Sequence, residues 1–115
     1  MMRESLSKNF YRDEFACRGQ KCCGGSSPIS PELIRCLEQY RAIVGGPLFI
    51  NSGFRCLVHN RDIGSYDGSQ HPRGTAADIY HSNRDIDDMY SLAVPLFDFV
   101  KQYAWGIHVD VRDYK

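Results

Sequence analysis

Apolar and polar positions recur along this chain with two periods, one typical of helices and one typical of strands. Between 31 and 44 the apolar residues recur at helical spacing; they are Leu33, Ile34, Leu37, Tyr40, Ile43 and Val44. Ser30 is a favourable N-cap and Pro31 suits the first helical turn. Gly45 and Gly46 follow, as is typical of a helix end. The pattern predicts a helix with one face packed on the core.

Shorter apolar runs predict three strands. Residues 47–53 are apolar enough for a short buried strand, and small residues over 75–80 predict a strand that carries Asp78. The last strand is expected over 106–112, where alternation separates two faces. One face of it carries His108, Asp110 and Arg112, and the other carries Ile107, Val109 and Val111.

Two further helices are expected, one over about 57–63 and one after the acidic caps at 85–88. Pro95 ends or kinks the second of these helices. Residues 96–104 fit either a helical turn or a strand. Because helices come first and strands are spread through the chain, we expect an α+β fold with a small, mainly antiparallel sheet and flanking helices. Residues 1–115 are expected to form a single domain.

Composition narrows the classes of partner. A hydrophobic fraction of 43% and a charged fraction of 24% are typical of a globular domain. The formal net charge of +0 does not favour nucleic acid or an anionic membrane as a partner. No apolar run approaches the roughly 18 residues of a membrane span, so no membrane insertion is expected. The first residues lack the apolar segment of a secretory signal, so we expect synthesis in a cytoplasm.

The chain has five cysteines, an odd number for a disulfide framework. They are Cys17, Cys22, Cys23, Cys36 and Cys56. Without a secretory signal they are expected to be reduced. Buried thiols are one interpretation. The other is a structural metal site that uses Cys17, Cys22 or Cys23, and Cys56, although the spacing matches no standard zinc ribbon.

Two histidines and a carboxylate form a candidate metal set. His71 and Asp78 stand seven positions apart across a glycine and small residues, and His108 lies on the last predicted strand. Three protein ligands leave one tetrahedral position open, as a catalytic zinc ion requires. The alternative is that the three are unconnected polar residues of a small domain. His59 and His81 are not included in the set.

Two further residues are candidates for chemistry. Asp110 follows His108 by two positions, so on a strand both side chains emerge on one face. It serves either as a general base or as a carboxylate that orients His108 or pairs with Arg112. Arg55 lies two positions after the segment 47–53 that contains the predicted strand, and it is either a substrate-binding guanidinium or a solvated surface arginine.

The segment from Ser69 to Asp78 fits the pattern Ser-x-His-x-x-Gly-x-Ala-x-Asp at every specified position. This pattern resembles the zinc D-Ala-D-Ala carboxypeptidases and phage L-alanyl-D-glutamate endopeptidases, whose fold is shared by the hedgehog signalling domain. Other segments resemble the small members of the group in the same order. They are Leu6–Phe10, Glu14–Cys17, Ser52–Cys56, His59–Asn60 and His108–Arg112.

The resemblance implies a hedgehog/DD-peptidase fold and a zinc ion bound by His71, Asp78 and His108. It also implies that Arg55 contacts the substrate near the scissile bond and that Ser69 helps to bind the peptide. On this basis the expected function is a zinc metallopeptidase that hydrolyses peptidoglycan stem peptides next to a D-amino acid. A non-catalytic, metal-containing binding domain is the alternative. The absence of a secretory signal fits a phage-type lysin exported by another route, or a cytoplasmic enzyme that trims recycled wall peptides.

One departure concerns the general base. Several members of the group place a Glu or Asp three residues before the final histidine, where this chain has Trp105. Others place a histidine two residues before it, where this chain has Gly106. The resemblance to the His-x-Asp ending of the small members makes Asp110 the remaining candidate for the base.

Overall fold

The computed structural model describes residues 4–18, 28–65 and 68–112. The helices are α1 (Pro31–Val44), α2 (Leu57–Asp62) and α3 (Ile86–Ala93). The strands are β1 (Phe49–Ser52), β2 (Ala76–Tyr80), β3 (Phe99–Gln102) and β4 (Ile107–Asp110). Short 3-10 turns cover Arg12–Phe15 and His71–Arg73. The strands form one antiparallel sheet in the order β1-β2-β4-β3, which confirms the predicted α+β class.

Helix α1 begins and ends where the sequence predicts. The Ser30 hydroxyl accepts a hydrogen bond from the amide of Leu33, at 3.4 Å. Gly45 ends the helix in the left-handed region with φ of 79°, which costs glycine no steric penalty. The prediction that Ile43 packs on the core is wrong, since 48% of it is exposed. Ile43 lies on the flank of the apolar stripe, one residue before the helix ends.

The two outer strands differ from the sequence-based expectation. The segment at 47–53 contains β1, but among the described strands β1 lies at the edge of the sheet and pairs with β2. Phe49 is therefore 40% exposed, and the prediction of a buried strand is wrong. The ambiguous segment 96–104 contains β3, which pairs with β4. Strand β4 is shorter than predicted and ends at Asp110, so Arg112 lies beyond it.

The two faces of the sheet have different roles. The apolar side chains of β2 and β4 pack with α1 and α3 in the core; they are Ala77, Ile79, Ile107 and Val109. Alternation along each strand turns Asp78 and His108 to the opposite face. Cys22 and Cys23 lie outside the described residues. No helix within the described ranges is long and apolar enough to cross a bilayer.

Candidate metal centre

Asp78 and His108 are direct cross-strand partners in the β2–β4 register. Paired residues of antiparallel strands project on one face with their side chains close together. The Nδ1 atom of His108 lies 2.9 Å from Oδ1 of Asp78, and both residues are buried. Strand pairing alone therefore places two of the predicted ligands side by side.

His71 reaches the same carboxylate from the 3-10 turn. Its Nε2 atom lies 3.3 Å from Oδ1 of Asp78, and its ring is 2% exposed. On the other side of the ring, Nδ1 donates to the carbonyl oxygen of Gly53 at 2.7 Å. Because a carbonyl can only accept, a proton sits on Nδ1, and Nε2 is the ring nitrogen that faces Asp78.

Gly53 occupies a position where a side chain does not fit. A Cβ atom built there would lie 2.6 Å from the Cα atom of Phe15. The amide of Phe54 also donates to the carbonyl oxygen of Phe15 at 2.8 Å. This close approach of two backbone segments holds the Gly53 carbonyl in place, and that carbonyl in turn orients His71.

Asp110 lies behind His108, on the side of the ring away from Asp78. Nε2 of His108 donates to Oδ2 of Asp110 at 2.8 Å. The Arg112 guanidinium donates to both carboxylate oxygens, through Nε at 2.9 Å and Nη2 at 2.8 Å. Asp110 is completely buried. Its contacts are those of a carboxylate that orients a ligand histidine, one of the two roles that the sequence left open.

The hydrogen bonds set the charges of this cluster. Burial by itself raises the pKa of Asp78, but hydrogen bonds from His108 and His71 outweigh burial and hold that pKa well below its usual range. Burial lowers the pKa of His108, yet its hydrogen bonds to Asp110 and Asp78 produce a net rise. For Asp110, burial is again outweighed, here by His108 and Arg112, and the pKa falls. Asp78 and Asp110 are therefore ionised carboxylates on either side of His108.

The arrangement fits a divalent metal ion. One ligand atom from each of His71, Asp78 and His108 lies within 4.8 Å of the others. Nitrogen and oxygen ligands of a tetrahedral zinc ion lie about 3.4 Å from one another. Two imidazoles also converge on one carboxylate oxygen, so a proton or a cation is needed between them. The three residues predicted as ligands are thus brought together.

The cluster opens on a cleft of about 340 Å³. Its lining includes the predicted substrate residues Arg55 and Ser69, together with His71 and His108. The Arg55 Nε atom is buried and has no hydrogen-bond partner among the described residues. Burial lowers the pKa of the Arg55 guanidinium, while the charge of Asp78 opposes that change. The Ser69 hydroxyl accepts a hydrogen bond from the amide of His71 at 3.3 Å.

Three cleft residues on and after β3 were not identified from the sequence: Phe99, Lys101 and Tyr103. Lys101 is the cross-strand partner of His108. Burial raises the pKa of the Tyr103 phenol, with a further rise from the charge of Asp78 and an opposing effect of Arg55. Had residues 96–104 been assigned as a strand, alternation would have placed these side chains on one face.

The two positions at which the family resemblance places a base are occupied differently here. A Cβ atom at Gly106 would collide with the carbonyl oxygen of Ile79, so no side chain fits that position. Trp105 is 45% exposed and stacks on Tyr103 with ring centroids 5.3 Å apart. His81, which the sequence analysis left out of the site, binds the carbonyl oxygen of Gly46 through Nε2 at 2.9 Å.

Comparison with known proteins agrees with this geometry. A search of the curated proteins found no match to the chain. The family model described as Peptidase M15 matches residues 8–110, a range that contains all three candidate ligands and Asp110. The chain belongs to the Peptidase M15 family, the family of the zinc D-Ala-D-Ala carboxypeptidase-like enzymes.

Proposed function

We propose that this peptidase uses zinc to hydrolyse peptide bonds in the stem peptides of bacterial peptidoglycan. The observation that carries the proposal is the convergence of His71, Asp78 and His108 beside a cleft lined by cationic side chains. Three protein ligands leave a tetrahedral position open, as in catalytic zinc sites. Membership of the Peptidase M15 family supports peptide-bond hydrolysis as the reaction class.

His71, Asp78 and His108 would hold the zinc ion, which when bound would lower the pKa of a water molecule to about 7 and would polarise a carbonyl group. The protein itself orients the ligand side chains and fixes the positions of their protons. Gly53 fixes the proton of His71 on Nδ1, and Asp110 fixes a proton of His108 on Nε2. Asp78 is ionised over the whole neutral range, because hydrogen bonds from both histidines outweigh its burial and lower its pKa.

Arg55 and Tyr103 are proposed to bind the substrate carbonyl at the scissile bond. Both line the cleft, and Arg55 interacts electrostatically with Asp78 and with Tyr103. The buried Nε–H of Arg55 has no hydrogen-bond partner in the part of the chain that the structure describes, and a substrate oxygen would offset its desolvation. A neutral phenol adds a second donor where negative charge develops in the transition state.

Asp110 is proposed as a positioning residue for His108. Both of its oxygens accept hydrogen bonds from Arg112, and Oδ2 also accepts from His108. A carboxylate with these partners favours the Nε2–H tautomer of His108 and raises the basicity of Nδ1. The alternative role as general base requires Asp110 to leave these contacts.

The charge of the cleft supports an acidic peptide as substrate. Arg55 and Lys101 line it, together with Arg112, whose charge is partly balanced by Asp110. Of the acidic residues that the structure describes, none lines the cleft, although Asp78 lies beside it. Peptides with a free carboxylate near the scissile bond, as the stems of peptidoglycan have, match this balance of charge.

The test is mass spectrometry of muropeptides after digestion with zinc-loaded protein. A new amino terminus inside a stem, or loss of a terminal D-amino acid, supports the proposal and identifies the bond. Chelation abolishes the products and zinc restores them. The alternative, a non-catalytic binding domain, is favoured by the absence of a base at Trp105 and Gly106. That alternative predicts binding of stem peptides with full metal occupancy and no products.

A further inference from the structure

Cys17 and Cys56 stand 39 positions apart in the chain, yet their Sγ atoms lie 3.9 Å from each other. Both thiols are half-buried. Sulfur atoms bonded in a disulfide are about 2.05 Å apart. Two thiolate ligands at about 2.3 Å from a tetrahedral zinc ion are about 3.8 Å apart. The separation of Cys17 and Cys56 is too long for a disulfide bond and matches that of two sulfurs bound to one metal ion.

From this geometry we propose that Cys17 and Cys56 are two thiolate ligands of a second, structural zinc site. Each thiol releases its proton on binding, and no oxidation or reduction is involved. Soft sulfur ligands distinguish this site from the nitrogen and oxygen set of His71, Asp78 and His108. The proposal is independent of the peptidase function.

The surroundings of Cys56 suit a metal-bound sulfur. Its Sγ atom accepts a hydrogen bond from the amide of His59 at 3.5 Å. Hydrogen bonds of this kind to ligand atoms are common around metal sites, where they fix the orientation of the ligand. Cys36 provides a contrast, because it is buried within α1 and burial raises the pKa of its thiol.

A metal between these sulfurs would cross-link two segments that support the cleft. Cys17 follows Phe15, whose carbonyl oxygen binds the amide of Phe54. Cys56 follows Arg55, a cleft residue that interacts electrostatically with Cys17. The segment between Gly53 and Cys56 thus orients His71, contributes Arg55 and carries a ligand of the second site. The cross-link would keep that segment in register with the amino-terminal part of the chain.

The experiment uses the full chain loaded with Co²⁺, together with metal analysis of the zinc form. We expect a near-ultraviolet sulfur-to-cobalt charge-transfer band and one metal ion more than the histidine site alone can hold. The band and that ion are lost in Cys17→Ser and in Cys56→Ser. They persist in the control Cys36→Ala. They also persist in His71→Ala, which removes a ligand of the other site and so separates the two sites.

Three outcomes would overturn the proposal. One is a cobalt protein with no sulfur band. Another is a band that survives both Cys17→Ser and Cys56→Ser. The third is an oxidised mass, lower by two hydrogens, that maps to a disulfide between Cys17 and Cys56.

If a serine variant does not fold, alkylation of the two thiols in the native protein decides the matter, since bound zinc protects them and its removal exposes them.

Discussion

Nε2 of His108 binds Asp110, while Nδ1 of the same ring faces Asp78. The histidine thus lies between two ionised carboxylates, one in the proposed ligand set and one that orients the ring. Strand β4 makes this possible, because His108 and Asp110 are two residues apart on one face of the strand. The relationship yields a direct test of what Asp110 does.

Asp110→Asn is expected to weaken zinc binding by about 10–100-fold. This is the usual effect of removing a carboxylate that orients a metal ligand. The amide keeps the shape but loses the charge that holds the proton on Nε2 of His108. Competition with a chromophoric chelator measures the affinity. Asp62→Asn, at an exposed carboxylate on α2, serves as control. Peptidase activity should return with excess zinc; full zinc occupancy without turnover would instead identify Asp110 as the base.

Arg55→Lys should reduce turnover by about 10²-fold or more. Lysine keeps the positive charge, but it lacks the planar donor geometry that arginine presents to the scissile carbonyl. Metal content should not change, since Arg55 is not among the three candidate ligands. Steady-state kinetics with a stem peptide measure the effect. Arg73→Lys, at an exposed arginine of the turn that carries His71, is the matched control. Unchanged kinetics in Arg55→Lys would remove Arg55 from the mechanism.

Zinc affinity is expected to fall as the pH decreases through the pKa of His108. Burial lowers that pKa, but hydrogen bonds to Asp110 and Asp78 outweigh burial and raise it above the ordinary imidazole value of 6.5. Protons therefore compete with zinc for Nδ1 at a higher pH than for an ordinary imidazole. Calorimetry in buffers of different ionisation enthalpy measures the protons released. Absence of proton release near neutral pH would contradict the charge assignment.

The same group affects the stability of the metal-free protein. The pKa of His108 is higher in the folded protein than in the unfolded chain, so protonated His108 stabilises the fold. This contribution is complete at pH values below the unfolded pKa of about 6.5. This contribution is lost as the pH rises through the folded pKa. Urea unfolding of the chelated protein should show the loss, and His108→Gln should abolish that part of the pH dependence. An identical pH profile in the variant would show that His108 is not the group responsible.

Helix α1 offers a test of the packing. Leu37 is completely buried, so Leu37→Ala should lower the free energy of unfolding by about 2–5 kcal/mol. Ile43 is 48% exposed despite its helical spacing, so Ile43→Ala should change it by less than about 0.5 kcal/mol. Urea denaturation measures both variants. Equal losses would mean that Ile43 packs on the core as the sequence pattern alone suggests.

Local patterns were sufficient to predict much of this molecule. Caps and periodicity predicted α1, small residues predicted the strand that carries Asp78, and alternation predicted the strand that carries His108. The direct pairing of these two residues depends on the β2–β4 register, which local alternation does not determine. The exposure of Phe49 likewise depends on β1 being the edge strand, a property of the whole sheet.

Contacts between distant segments account for what the sequence did not reveal. The carbonyl of Gly53 that orients His71 is a backbone group and leaves no compositional signal. Tyr103 and Lys101 can be identified as cleft residues only from the pairing of β3 with β4. The cysteine pattern left a site with Cys17 and Cys56 as one of two interpretations, and only the contact between these distant segments brings the two sulfurs together.

The most direct measurement of the central claim compares the wild-type protein with Asp78→Asn on purified stem peptides, with bound metal determined in both. The account predicts that the zinc-loaded wild type cleaves a peptide bond in the stem. It predicts that Asp78→Asn, which loses a charged ligand at the β2–β4 pair, binds one metal ion fewer and releases no product. A wild-type protein with zinc bound to His71, Asp78 and His108 that cleaves no stem peptide would contradict it.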